Sequence, residues 1–278
     1  MKLALRYTLR VALLSLSLVS LTALASTSAF GQSGFARKLI TVNSPCGVPF
    51  EHPTALALRP DGRLFVGQQN GMIFMLTLDA QFNVTSVKCV DTIYRRDKTY
   101  HRLLTGMAFG PYFLTASSPS YIGPDLYVSH SDGRIYDDNI DIYSGTVTKL
   151  VAGNYLTGVD IVTGLPRSRA DHAPNGLAFG PDGMIYLAIG GNTNAGLPSA
   201  FFRMLDEMSL GAAILKIAPT PGGDVSVYAT GLRNPYDLVW HSNGQLYAND
   251  NGANTGLATD RSAAVTTTAP IPARRPTS

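Results

Sequence analysis

The sequence predicts an all-β protein built as a β-propeller of four-stranded blades, on three observations. The first is composition. Gly 27 and Pro 17 in 278 residues disfavour long helices, and Glu occurs only at Glu51 and Glu207 among 19 acidic residues, so nearly all of the acids are the turn-forming Asp. The second is a formula that recurs four times: an apolar strand, Pro-Asp-Gly or a similar turn, and a second alternating strand. The third is the distance between copies. The equivalent residues Leu56, Met107, Leu177 and Leu238 are 51, 70 and 61 apart, room for one four-stranded unit each. A β-sandwich with accidental similarity between hairpins is the competing architecture, and four copies of one turn formula argue against it. A coiled coil, a helical bundle and a disordered acidic chain are excluded by the same composition. The net charge of +3 is small, and no Lys/Arg block interleaves with aromatics, so no nucleic-acid partner is expected.

Residues 1–31 read as a signal peptide. Lys2, Arg6 and Arg10 give a positive start, Val11 to Ala25 is an uncharged apolar run, and small residues follow. That run is short of the roughly 20 residues that span a bilayer, so no membrane span is expected after cleavage. The start looks bacterial, which places the mature protein in the periplasm or outside the cell. In such a compartment Cys46 and Cys89, the only cysteines, could form a disulfide; two separate buried thiols are the alternative.

Residues 32–258 carry the repeats. The copies are ALALRPDGRLFVGQQ (55–69), GMAFGPYF leading to DLYVSHSDGRIY (106–136), GLAFGPDGMIYLAIGG (176–191) and DLVWHSNGQLYAND (237–250). Pro at the first turn position and Asp-Gly after it suit a tight hairpin. Runs such as MIYLAI are apolar, aromatic or β-branched, as buried strands require. Outer strands are expected from GMIFMLTLD (71–79) and GAAILKIAP (211–219). Residues 259–278 are rich in Ser, Thr and Pro without strand period and read as a disordered tail.

Two stretches stand out beyond the repeat: GLPRSRADHAPNGLAFGPDGMIYLAIGGNTNAG (164–196) and YATGLRNPYDLVWHSNGQLYANDNGAN (228–254). With EHPTALALRPDGRLFV and RLLTGMAF they resemble the soluble quinoprotein glucose/sorbosone dehydrogenase family over roughly residues 45–255. That resemblance implies a six-bladed propeller, of which about four blades are present here, so the chain is expected to be an incomplete copy of a larger domain, with a very small propeller as the alternative. It also implies oxidation of a small-molecule sugar with pyrroloquinoline quinone and calcium. On the matching positions His172 is the catalytic base, Arg233 and Asn234 contact the quinone, and Gly252 and Ala253 hold Ca2+ through their carbonyl oxygens. His101, at the start of the second repeat, falls where the family places a polar side chain toward substrate.

Elementary chemistry is consistent with these roles. A neutral imidazole accepts a proton near neutral pH, a guanidinium stabilises charge as hydride arrives, and carbonyl oxygens are suitable hard ligands for calcium. Two departures stand beside them. Where the family usually has an Asp to support the histidine, this chain has Gly191. The last two blades, with basic residues that clamp the quinone carboxylates, have no counterpart. Asp137, Asp138 and Asp141 lie close together but lack EF-hand spacing and read as a solvated loop. There is no Gly-x-Ser-x-Gly elbow, phosphate loop or Rossmann fingerprint. The two functions left are an exported aldose dehydrogenase with hydride transfer to quinone, and a non-catalytic propeller that binds carbohydrate or a protein partner. The oligomeric state is not legible.

Overall fold

The computed structural model describes residues 37–111, 123–194 and 196–252. The expected signal segment, the tail and Ala253 lie outside the described residues. Every element below belongs to the unit that begins at Ile40.

Fourteen strands among the described residues form four antiparallel sheets. The first comprises β1 (Pro53–Leu58), β2 (Leu64–Gln68), β3 (Ile73–Leu78) and β4 (Val84–Val90). The second comprises β5 (Arg102–Phe109), β6 (Leu126–Asp132), β7 (Gly145–Leu150) and β8 (Gly158–Leu165). The third comprises β9 (Pro174–Phe179), β10 (Ile185–Ile189), β11 (Ala213–Ile217) and β12 (Val225–Thr230). A fourth holds β13 (Pro235–Trp240) and β14 (Leu246–Asp250). In each sheet the strands pair in chain order, the meander of a propeller blade. The four blades expected are thus three complete ones and the inner hairpin of another. The inner strands β1, β5, β9 and β13 pack side by side in that order.

The recurring turn closes the inner hairpins as its chemistry requires. In the first copy Gly62 N–H donates to Arg59 O at 2.9 Å and Arg59 N–H to Arg63 O at 2.9 Å. The third and fourth copies repeat both bonds, at Gly180–Met184 and His241–Gln245. In each, the Asp or Asn side chain accepts the N–H two residues on, at 3.3, 3.1 and 3.0 Å for Asp61, Asp182 and Asn243. Gly62, Gly183 and Gly244 have φ of 87°, 75° and 79°, the left-handed conformation that lets a three-residue turn rejoin the strands. The second copy differs. Its Asp132-Gly133 ends β6 instead of joining the two inner strands, and the link between β5 and β6 runs through residues outside the described set.

Blade packing follows a large-against-small alternation on the inner strands. Met107 packs into the core shared with the first blade, Leu177 into that with the second, and Leu238 into that with the third; they are 7, 5 and 6% exposed. Ala57, Ala108 and Ala178 point the other way, toward the following blade. Small residues also let the inner strands converge. A Cβ at Gly106 would collide with Asn175 O, and one at Gly176 with the Asp237 side chain, so each position meets the next strand at van der Waals distance.

The two end faces break the alternation. Leu56 and Leu58, equivalent to Met107 and Phe109, are 66 and 68% exposed, and Val239, equivalent to the forward-facing alanines, is 59% exposed. No sheet among the described residues covers them. Farther out, the first blade is covered by a segment of its own chain: Val42, Val48 and Phe50 pack on Val66, Met72, Phe74 and Leu76. The Cys46–Cys89 disulfide, with Cα atoms 5.6 Å apart, ties this segment to β4. Of the two cysteine readings, the disulfide holds. Trp240 sits in the core between the last two sheets, edge-on to Tyr186 with ring centres 5.1 Å apart.

Candidate functional site

Equivalent residues of the inner strands touch one another, so the residues that precede those strands gather at one rim. His101 precedes β5 by one residue, His172 precedes β9 by two and Arg233 precedes β13 by two. Three of the expected site residues, His172, Arg233 and Asn234, meet there around Gly190 and Gly191.

His172 is 1% exposed. Its Nδ1–H donates to Gly191 O at 2.7 Å, which leaves Nε2 as the unprotonated nitrogen; Nε2 is buried and has no hydrogen-bond partner. An orienting acceptor on Nδ1 and an unprotonated Nε2 are what a proton acceptor needs. Where the resemblance implies a carboxylate at 191, the acceptor on His172 Nδ1 is the backbone carbonyl of that residue. Asp171 does not take that role. Its Oδ1 lies 3.9 Å from Nε2, on the accepting side and beyond hydrogen-bond length. Burial is the main cause that pulls the His172 pKa below the ordinary imidazole value. The Gly191 hydrogen bond opposes it, the Arg233 charge adds to it, and Asp171 and Glu207 oppose it. The ring of Phe202, from the short 3-10 turn Ala200–Phe202, lies 4.9 Å from the imidazole and helps to close it from solvent.

The loop that carries His172 is held by Arg167, a residue with no motif to mark it in the sequence. This side chain is fully buried and donates through Nη1 to the carbonyls of Ser168 (2.7 Å), Ala170 (2.6 Å) and His172 (3.1 Å), and through Nη2 to Arg134 O (2.9 Å). Burial pushes its pKa down to about 10. One cation thus reinforces a turn whose own backbone closure is the Ser168 N–H to His172 O bond at 2.9 Å.

Arg233 reaches the same place from the other side. Gly191 N–H donates to Arg233 O at 2.9 Å, so Gly191 touches both residues through its two backbone groups. Arg233 Nε donates to Asn194 Oδ1 at 2.7 Å and Nη1 to Asn251 O at 3.1 Å. Asp250 on β14 accepts the N–H groups of Arg233 and Asn234, fixing the entry to β13. Burial lowers the Arg233 pKa from its ordinary value. Asn234 is 4% exposed, and its Oδ1 accepts Asn175 Nδ2 at 3.0 Å. A Cβ at Gly190 would strike both Asn234 Oδ1 and His172 Cβ, so glycine is required for the two to approach.

A cleft of about 540 Å³ opens beside Arg233, lined among others by Thr193, Asn194, Glu207, Asp250 and Gly252. That is the size of a small-molecule site. Glu207, also missed in the sequence, turns its carboxylate onto the 191–193 loop. Oε1 accepts Asn192 N–H at 2.8 Å and Oε2 accepts the Thr193 hydroxyl at 2.8 Å.

His101 stacks on Tyr94, with ring centres 4.3 Å apart, and no contact joins it to His172. Among the described residues no group of three or more His, Cys, Asp or Glu could hold a metal ion. Asp138 pairs with Arg169 at 2.5 Å, and Asp137 and Asp141 accept the N–H of Asn139 and Tyr143, as the solvated-loop reading requires. Gly252 borders the cleft at the end of the described residues.

Comparison with known proteins bears on the family and the fold. The "Glucose / Sorbosone dehydrogenase" family matches residues 50–261, well over half of the chain. Among solved structures, the PQQ-bound aldose sugar dehydrogenase of Streptomyces coelicolor is similar with a TM-score of 0.51 at 23% identity, over 73% of this chain and 57% of that one. This likeness speaks to the fold. An oxidoreductase of Thermus thermophilus, described as a glucose dehydrogenase, follows at 0.49 and 24% identity, over 73% of this chain and 59% of that one. The holo PQQ domain of pyranose dehydrogenase from Coprinopsis cinerea gives 0.45 and 18%, over 75% and 46%. The chain thus spans less than two thirds of each of these structures, and no curated protein matches it. By its sequence match and its propeller blades, this chain belongs to the glucose/sorbosone dehydrogenase family.

Proposed function

We propose that the protein is an exported quinoprotein sugar dehydrogenase, in which His172 takes the proton of a sugar hydroxyl while hydride leaves the same carbon. The observation that carries this reading is the state of His172: Nδ1–H fixed on Gly191 O, Nε2 buried and unpartnered. The residues fit a quinone in part: Arg233 is the cation of a cleft that also carries the carboxylates of Glu207 and Asp250, and His172 and Asn234 lie behind its wall rather than on it. Arg233 borders a cleft of suitable volume, and the orphaned Nε2 belongs to the cluster that Gly191 ties to Arg233. Arg233 and Asn234 would hold pyrroloquinoline quinone, and the carbonyls of Gly252 and Ala253 would hold Ca2+. When bound, the quinone supplies the hydride acceptor. The chain's own part is proton and charge management: Nε2 receives the proton, Asp171 and Glu207 stabilise the resulting imidazolium, and Arg233 contributes positive charge. His101 would line the sugar subsite from the second blade.

Export is supported by the residues 1–31 pattern together with the Cys46–Cys89 disulfide, which suits the periplasm or the exterior. Cell fractionation tests it; a protein retained in the cytoplasm with reduced cysteines contradicts it. Activity is tested by quinone-dependent dye reduction with aldoses in the presence of calcium. His172→Asn is expected to lose about 10²- to 10⁴-fold, the worth of a general base. Loaded protein without activity, or full activity in His172→Asn, overturns the reading.

One observation favours the second reading, a non-catalytic propeller that binds carbohydrate or a protein: Phe202 and its neighbours leave His172 closed to solvent. That reading requires no quinone binding, which a titration decides.

A further inference from the structure

We propose that Glu207 is a positioning residue for His172, acting through the single peptide unit that joins Gly191 to Asn192. The inference rests on reading His172 as the proton acceptor. A trans peptide is planar, and its C=O and N–H point in opposite directions. Here the carbonyl end of that unit accepts from His172 Nδ1–H at 2.7 Å, and the N–H end donates to Glu207 Oε1 at 2.8 Å. Neither bond can rotate away without loss of the other. The carboxylate polarises the peptide, and the polarised carbonyl holds the imidazole proton more firmly on Nδ1.

The rest of Glu207 is committed to the same task. Oε1 also accepts Met208 N–H at 3.2 Å, and Oε2 accepts the Thr193 hydroxyl at 2.8 Å. Glycine at 191 is the complement of this arrangement. A Cβ there would collide with Glu207 Oε2 and come within 2.8 Å of Ala212 Cβ. A carboxylate thus reaches the imidazole from a loop 35 residues away in sequence, one peptide removed. The charged groups that act on the imidazole are Asp171, Glu207 and Arg233, with Arg167 on the His172 carbonyl.

The test is the side-chain nitrogen spectrum of isotope-labelled histidine in the full chain, with the His172 signals assigned by their loss in His172→Asn. The wild type is expected to show only the Nδ1–H tautomer. Glu207→Ala should show a mixture of both tautomers and a lower titration midpoint. Glu207→Gln keeps an amide oxygen for the Asn192 N–H but removes the charge, so it should keep the tautomer while its midpoint falls. A role confined to holding the fold would not separate those two effects. Thr193→Val, which leaves the Oε1 bond in place, should keep the wild-type tautomer. The inference is overturned if Glu207→Ala retains the pure Nδ1–H tautomer, or if Glu207→Gln titrates like wild type. Should Glu207→Ala fail to fold, the Glu207→Gln midpoint decides alone. These spectra need no turnover, so an absence of dehydrogenase activity would count against the proposed function and leave the Glu207 result standing.

Discussion

Leu177→Ala and Leu56→Ala change the same residue at the same place in the repeat, yet the structure predicts different costs. Leu177 is 5% exposed and packs against the second blade; Leu56 is 66% exposed at the end face. Full burial of a leucine side chain contributes about 1.5–3 kcal/mol, and truncation in a packed core adds a cavity cost, for about 2–5 kcal/mol in total. Leu56, with only about a third of its surface buried, should lose only about 0.5–1 kcal/mol on the same transfer scale. The two variants are compared by urea unfolding, where a shift of midpoint at unchanged slope reads stability directly. A gap of about 1–4.5 kcal/mol is expected from these two ranges. Equal losses would refute the assignment of Leu56 to an uncovered face, since they would require another surface to pack on it.

Other predictions concern the staple and the buried histidines. The disulfide closes a separation of 43 residues, which the chain-entropy relation converts to about 4 kcal/mol. Reduction, or Cys46→Ala with Cys89→Ala, should lower the unfolding free energy by that order and free the segment over Phe74; a loss below about 1 kcal/mol contradicts this. Burial holds the pKa values of His130 and His172 below the ordinary 6.5. The unfolded chain therefore binds protons first as pH falls. The corresponding stability is complete above that value and declines below it by up to about 1.4 kcal/mol per pH unit for each histidine. Unfolding midpoints at about pH 7.5 and about pH 5.5, either side of the ordinary imidazole value, check the sign, and a flat profile opposes it. Phe202→Ala removes part of the cover over His172. Its imidazole should titrate closer to the ordinary value, and an unmoved midpoint would mean that the phenyl ring does not set the desolvation.

Much of the fold was legible because the turn is local chemistry. Pro-Asp-Gly specifies its own hydrogen bonds, and the strands on either side alternate by burial. The second copy misled in part: its Asp132-Gly133 has the right composition but ends β6, since composition does not say which two strands a turn joins. Leu56 was indistinguishable from Leu177, because burial on an inner strand is decided by the adjacent blade. At the site, the roles expected of His172, Arg233 and Asn234 come only from family resemblance, and Gly191 reads in the sequence as the loss of a carboxylate. Backbone carbonyls have no sequence signature, so the acceptor that replaces the carboxylate was invisible. Glu207 and Arg167 were missed for related reasons. One acts across 35 residues, and the other resembles any loop arginine until its burial is seen.

Equilibrium titration of pyrroloquinoline quinone with calcium, into the wild type and Arg233→Ala, tests the central claim most directly. Saturable micromolar binding is expected, weakened about tenfold or more by loss of a charged donor worth about 1.5–3 kcal/mol. No binding to the wild type, or equal affinity in both proteins, would contradict a quinone site at this rim.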